Sequence, residues 1–356
     1  MIQSDAPLGV AMIGVGMVAG THALAIRDAT PPVRLVGVLA RSADRAARFA
    51  QDASATLGAP VDVFPDLDAV AADPRVDAVV IVTPPDARLE LVRPLARAGK
   101  PVLLEKPVGR TLAEAEEVVA LCRAEGVPLG VVFQHRMRAA SLAAAKLVAG
   151  GALGALGLVE ISVPWWRAQS YYDEPGRGTY ARDGGGVLIS QAIHTIDLAL
   201  ALAGPVTEVT AMTATTRFHD MEAEDVAVAG LRFVGGAAGW LAATTASYPG
   251  GSESIALHFD AASLRLAEGV LDVAWRDGTR ERHGAAATTG GGADPMAFTH
   301  DWHRSILEDF AAALREGRPP AVTGSDALAA HRLIDAITRS ARDGRSVNLI
   351  EESRGS

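Results

Sequence analysis

Leu8-Gly9-Val10-Ala11-Met12-Ile13-Gly14-Val15-Gly16-Met17-Val18-Ala19 is an apolar run closing on Gly14-x-Gly16-x-x-Ala19. It reads as a buried strand, a tight turn and the first turn of a helix. Gly14 permits the turn, Gly16 lets a pyrophosphate approach the backbone, and Ala19 is small enough for close helix–strand packing. Unpaired amides at the helix N-terminus complete an anion site. The expectation is a dinucleotide-binding Rossmann domain.

Outward from that motif, short apolar runs alternate with amphipathic stretches as far as residue 132. Val33–Leu39, Asp77–Val82, Val102–Leu104 and Val127–Val132 are the further strands, the rhythm of a parallel sheet with helices on its faces. Thr111-x-x-Glu114 is a capping box, and Gly99 closes the preceding helix. Beyond about residue 150 β-like runs follow one another: Leu156–Val163, Val206–Thr216, Val226–Phe233, Ala237–Ser247, Ser254–Phe259 and Val270–Trp275. Helices are expected over Val187–Ala203, Thr299–Glu316 and Ser325–Arg342. The fold class is therefore α/β: an N-terminal Rossmann domain (1–132) with a parallel sheet, then an α+β domain (133–356) with a large, mostly antiparallel, open-faced sheet. Ala285–Ala293 reads as a surface loop.

The chain has 356 residues, enough for two domains, and its 49% hydrophobic and 21% charged residues exclude a disordered chain. A net charge of −9 argues against a nucleic-acid surface and for a small-molecule substrate. The single cysteine, Cys122, cannot form an internal disulfide and lies in an apolar helical pattern. With neither a basic leader nor an 18-residue apolar span, the expected location is cytoplasmic, without membrane contact.

Two stretches carry candidate chemistry. Val102-Leu103-Leu104-Glu105-Lys106-Pro107 puts a lysine just past the carboxyl end of a parallel strand, where ligands of open α/β sheets bind. Lys106 is either a proton-transfer group for a substrate hydroxyl or a solvated lysine at a strand end. In Gly184–Asp197 a triglycine turn precedes Ser190, His194 and Asp197 at i, i+4 and i+7, on one helix face. His194 is either a catalytic histidine or a satisfied structural one. The glycines favour close approach of something just before it. His194 and Asp197 could both reach one ion, but Asp197 orienting His194 explains the spacing equally well, and no metal is expected.

Taken in order, GVGMVA at Gly14–Ala19, TPPD at Thr83–Asp86, EKP at Glu105–Pro107 and GGGxLxxxxxHxxD at Gly184–Asp197 resemble the Gfo/Idh/MocA family of nicotinamide-dependent oxidoreductases. The closing HRSILEDFAAALREGRPPAV and GRSVNL extend the resemblance to the C-terminus. It implies catalytic roles for Lys106, as proton relay, and His194, against the reacting hydroxyl or carbonyl. The substrates it implies are sugars, inositols and related hydroxylated rings, and the assembly a homodimer or homotetramer through the second-domain sheet. Cofactor contacts are expected at Gly14, Gly16, Met17, Val18, Ala40, Arg41, Ser42, Thr83, Pro84, Pro85, Glu105 and Lys106. Ser190 stands where many members have an aspartate, Arg88 where a histidine is common and Ala192 where glycine is frequent. Without that aspartate, Lys106 and His194 carry more of the proton transfer.

After Val36-Gly37-Val38-Leu39-Ala40 no carboxylate follows to hold an NAD ribose; Arg41 and Ser42 stand there. They suit the 2′-phosphate of NADP, while Ser42 also reads as a helix cap, so NADP is preferred and NAD is the alternative. The stretch Val163–Asp183 gathers Trp165, Trp166, Tyr171, Tyr172 and Tyr180 with Arg167, Arg177 and Arg182, which suits a polyhydroxylated ring or an oligomer contact. Substrate contacts are expected at Trp165, Arg177, Ser190, Gln191 and Gln134, with Lys106 and His194; His135 and Arg136 adjoin them. The leading function is interconversion of a secondary alcohol and a ketone. An NAD-assisted glycoside hydrolase and a non-catalytic dinucleotide sensor are the alternatives.

Overall fold

The structure, a computed structural model, describes residues 6–287, 296 and 298–349. It divides into two compact units, Met1–Gln134 with His300–Ala327, and His135–Thr299 with Leu328–Ser356.

The first unit opens with β1 (Leu8–Ile13), α1 (Ala19–Asp28), β2 (Val33–Leu39), α2 (Ala43–Leu57), β3 (Asp62–Val63), α3 (Leu67–Ala72), β4 (Ala78–Ile81), α4 (Arg88–Arg97), β5 (Val102–Glu105), α5 (Leu112–Ala124) and β6 (Leu129–Val132). All six strands are parallel, in the order β3-β2-β1-β4-β5-β6. Every residue of β1, β4, β5 and β6 is buried, because helices cover both sheet faces. The order reverses between β1 and β4, so the loops after these strands diverge and leave a crevice at their carboxyl ends.

Caps set the helices as the sequence predicts. Ser42 Oγ accepts from Arg45 N at 3.3 Å to start α2, and Thr111 Oγ1 accepts from Glu114 N at 3.2 Å to start α5. The Glu114 carboxylate reaches back to Arg110 N at 2.9 Å, one residue beyond the cap itself. Cys122 is buried on α5, and burial pushes its thiol up to about 11, as fits a packing residue.

In the second unit, α6 (Ala139–Ala149), β7 (Leu156–Pro164) and α7 (Gln169–Tyr172) precede a single π turn over Leu188–Ala192 and α8 (Ile193–Ala203). Seven strands follow: β8 (Val206–Ala214), β9 (Val226–Phe233), β10 (Ala238–Thr244), β11 (Ser254–Phe259), β12 (Ala262–Ala267), β13 (Val270–Trp275) and β14 (Arg280–Gly284). With β15 (Val347–Asn348) they form a nine-stranded sheet, β14-β13-β12-β11-β7-β10-β9-β8-β15, whose pairs are antiparallel except β7 with β10. Burial alternates along β9, β10 and β11. One face packs on α6 and α8; on the other Met212, Val228 and Trp240 are exposed.

The chain returns to the first unit through α9 (Asp301–Glu316), whereas α10 (Gly324–Asp343) starts there and continues into the second. The first unit is therefore built from two separate stretches of the chain, where the sequence suggests a single division at residue 132/133. The apolar face of α9, with Ile306, Leu307 and Phe310, is buried against α1 and β6. Gly130 makes room for Phe310, since a Cβ there would lie 2.8 Å from the Phe310 ring. Val131 N also bonds Val322 O at 3.1 Å. Most of the loop expected at Ala285–Ala293 lies outside the described residues. Among the described residues no helix is long and apolar enough to cross a membrane.

Candidate active site

In the first unit the glycine-rich turn sits between β1 and α1. Gly14 has φ +100°, and a Cβ there would lie 3.0 Å from Thr83 Cγ2 and 3.1 Å from Thr83 N, so only glycine lets the β1 turn lie against the β4 turn. Gly16 meets nothing nearer than Val82 O at 3.9 Å; its missing side chain leaves its outer side open. Ala19 is buried, and Met17 is exposed beside the turn. At the start of α1 neither an acidic residue in the first turn nor a side-chain cap from Val18 satisfies the amides, the arrangement an anionic group needs. A residue that sequence reading missed, Arg45, donates from Nη2 to Val15 O at 3.3 Å and braces this turn.

Past β2, Ala40 is half-buried and Arg41 is exposed, while Ser42 spends its hydroxyl on the α2 cap. Past β4, Thr83 and Pro84 are half-buried and Pro85 is buried in a short 3-10 turn leading into α4. These groups fit a dinucleotide: a glycine turn, open amides and an exposed cation just past the carboxyl end of β2.

Glu105 is held by two histidines. Its Oε1 accepts from His22 Nε2 at 2.9 Å, and His303 Nε2 lies 3.5 Å from the same oxygen. All three side chains are buried, and the two imidazoles meet edge to face at 5.1 Å. Burial pushes the Glu105 carboxyl up; the hydrogen bonds and charges of His22 and His303 outweigh it and hold the carboxyl well below the usual range. Burial lowers His303. The three ligand atoms lie within 4.8 Å of one another, the donor set of a zinc site. His22, however, is bonded directly to Glu105. The cluster is a hydrogen-bonded one, fixing the residue before Lys106. Lys106 itself is half-buried at the end of β5.

In the second unit His194 is buried in the first turn of α8, its ring stacked on His135 at 4.8 Å and 22°. Asp197 is engaged by a guanidinium. It forms a two-pronged pair with Arg136, Nε to Oδ2 and Nη2 to Oδ1 both at 2.7 Å, with Asp197 fully buried. The π turn breaks the simple i, i+4 register on which the shared face of Ser190 and His194 rests. Ser190 is half-buried and Gln191 is buried.

The triglycine turn makes room for the protein itself. A Cβ on Gly186 would fall 1.7 Å from Glu224 O, and the Glu224 carboxylate accepts from Gly186 N and Leu188 N, both at 3.1 Å. Glu224 thus caps the π turn from within, and burial raises its carboxyl.

The aromatic stretch divides in two. Trp165 and Tyr172 are core residues: Trp165 Nε1 donates to Glu253 at 3.3 Å, and Tyr172 shares a 2.7 Å hydrogen bond with Thr245, burial driving its phenol up. Glu253 also accepts from Arg138 at 2.7 Å and lies 4.0 Å from His135 Nδ1. Tyr171, Arg177 and Gln191 form the second group: Arg177 Nη1 donates to the Tyr171 hydroxyl at 3.0 Å and Gln191 Nε2 does so at 3.3 Å. Gln134 is buried and belongs, with Lys106, to the first unit; His194, Ser190, Gln191, Trp165 and Arg177 belong to the second.

Known proteins match the chain in two stretches. Residues 8–133 match the family described as "Oxidoreductase family, NAD-binding Rossmann fold", and residues 141–265 match the GFO/IDH/MocA C-terminal domain. D-apiose dehydrogenase of Paraburkholderia graminis is 30% identical over 81% of this chain and 76% of its own length. Inositol 2-dehydrogenase of Rhizobium meliloti is 26% identical over 95% of this chain and 98% of its own. Among solved structures, the WlbA dehydrogenase from Bordetella pertussis, in complex with NADH and UDP-GlcNAcA, is 29% identical, with a TM-score of 0.80 over 97% of this chain and 99% of that one.

Proposed function

From the premise that this chain belongs to the GFO/IDH/MocA family of oxidoreductases, we propose that it interconverts a secondary alcohol and a ketone on a sugar, inositol or related hydroxylated ring. The residues that would hold the dinucleotide are Gly14, Gly16, Met17 and Val18 at the pyrophosphate, Ala40, Arg41 and Ser42 at the adenosine end, and Thr83, Pro84 and Pro85 at the sheet edge. When bound, the nicotinamide supplies the hydride acceptor or donor. In the oxidative direction the neutral Lys106 amine takes the hydroxyl proton; in reverse the Lys106 ammonium returns it to the carbonyl oxygen. His194 contacts that oxygen, and Gln191 and Arg177, which both donate to the Tyr171 hydroxyl, supply amide and guanidinium groups for neighbouring hydroxyls.

The observation that carries this reading is the position of Lys106, half-buried at the carboxyl end of β5, directly after a glutamate held by two histidines. The test is nicotinamide absorbance of the purified chain with myo-inositol, D-apiose and their keto forms. Reversible change at 340 nm (the NAD(P)H band) is expected, and a protein that binds NADPH but turns over none of a broad sugar and polyol panel contradicts the proposal. NADP(H) is the preferred cofactor, supported by the exposed Arg41 where a carboxylate would select NAD. Self-association through the open sheet face is supported by exposed Met212, Val228 and Trp240 on three adjacent strands. A monomeric mass by light scattering contradicts it.

A further inference from the structure

We propose that Arg88 is a positioning residue for Lys106: its buried guanidinium ties the Lys106 carbonyl to the Thr83 carbonyl and keeps a fixed positive charge beside the lysine. This rests on the reading of Lys106 as the proton relay. Arg88 opens α4 and is 2% exposed. Its Nε and Nη2 donate to Thr83 O at 3.2 and 2.8 Å, and Nη2 also donates to Lys106 O at 3.2 Å. β4 and β5 are neighbours in the sheet, and these two carbonyls lie just past the last of their paired residues, Ile81 and Leu104. One planar fork therefore fixes the β4 turn and the Lys106 main chain to each other. A lysine, with a single point charge, reproduces the charge but not the bridge.

The same group acts electrostatically. Burial lowers the Arg88 guanidinium to about 10, countered by Glu105 and Asp86, so it stays cationic at neutral pH. The groups facing this cluster are Glu105, His22 and His303 from β5, α1 and α9, with Asp86 from the turn before α4; Lys106 in turn acts on His303. A fixed cation disfavours the ammonium form of Lys106 and raises the fraction of neutral amine available as a base.

The chain makes this measurable without a substrate, because its lysines are Lys100, Lys106 and Lys146 alone. Reductive methylation of the full-length protein with 13C-formaldehyde, followed by NMR titration, reads each amine, with Lys106→Met identifying the Lys106 signal. In Arg88→Met the Lys106 signal should titrate about one pH unit higher than in the wild type, a tenfold smaller neutral fraction near pH 7. Arg88→Lys should leave that titration near the wild-type position while lowering turnover. The Lys100 signal reports folding, since its amine is held by Val76 O at 2.6 Å. Should Arg88→Met unfold, Arg88→Gln removes the charge and retains one donor group for the same comparison. An unmoved Lys106 titration in a folded charge-neutral variant overturns the proposal. Persistent activity in Lys106→Met would instead overturn the proton-relay reading, so the two failures are separable.

Discussion

His22 Nε2 lies 2.9 Å from Glu105 Oε1, joining the first helix after the glycine turn to the residue before Lys106 through a fully buried hydrogen bond. One contact thereby ties α1 to the carboxyl end of β5. His303 on α9 approaches the same oxygen, which explains why residues 300–327 belong to the Rossmann unit although they follow the second unit in sequence.

The folded-state carboxyl of Glu105 is held well below its ordinary value of 4.5, so it contributes stability that is present above pH 4.5 and lost as pH falls toward the lowered value. His303, lowered from 6.5, adds a loss of stability of the same sign as pH falls below 6.5. Glu105→Gln should cost about 1–3 kcal/mol at pH 7 and flatten the acid limb. Thermal denaturation of both proteins between pH 7 and 3 checks this; parallel curves contradict it.

The glycines separate by what surrounds them. Gly16→Ala should leave stability within about 0.5 kcal/mol, since nothing lies closer than 3.9 Å, yet weaken NADPH binding at least about tenfold, roughly 1.4 kcal/mol. Gly186→Ala, whose Cβ would meet Glu224 O at 1.7 Å, should cost about 4 kcal/mol or more. Urea unfolding with fluorescence titration distinguishes the two, and equal stability losses would contradict the assignment of the triglycine turn to Glu224.

Arg136 and Asp197 should couple strongly. A double-mutant cycle with Arg136→Met and Asp197→Asn is expected to give about 1–3 kcal/mol of interaction energy in unfolding measurements. Additive losses would return Asp197 to the role of orienting His194.

Arg41→Asp should weaken NADPH at least about tenfold, roughly 1.4 kcal/mol, and strengthen NADH, as a carboxylate repels the 2′-phosphate and accepts from a ribose diol. Fluorescence titration with both nucleotides reads the exchange. Unchanged NADPH affinity would show that Arg41 is only a solvated side chain.

Much of the fold is legible in the sequence where a largely apolar run stands between breakers. Val33–Leu39, between Pro32 and the Ser42 cap, is found with its observed bounds, as is Val226–Phe233. Elements with little apolar contrast escape notice. Arg280–Gly284 is a strand with no large apolar residue, and Ala139–Ala149 is so rich in alanine that no face stands out. The site is legible where one local stretch builds it, as at Gly14–Ala19 and Glu105-Lys106. It is not where a distant residue decides. Nothing near Gly186 announces Glu224, nothing near Asp197 announces Arg136, and the room left by the glycines is filled by the chain instead of a ligand. Trp165, expected at the substrate, is turned inward by its bond to Glu253.

Turnover and NADPH binding measured side by side in Lys106→Met test the central claim most directly. The account predicts a loss of turnover of about a thousandfold with the NADPH dissociation constant within about threefold of wild type. Turnover within about tenfold of wild type would contradict the assignment of Lys106 as the proton relay.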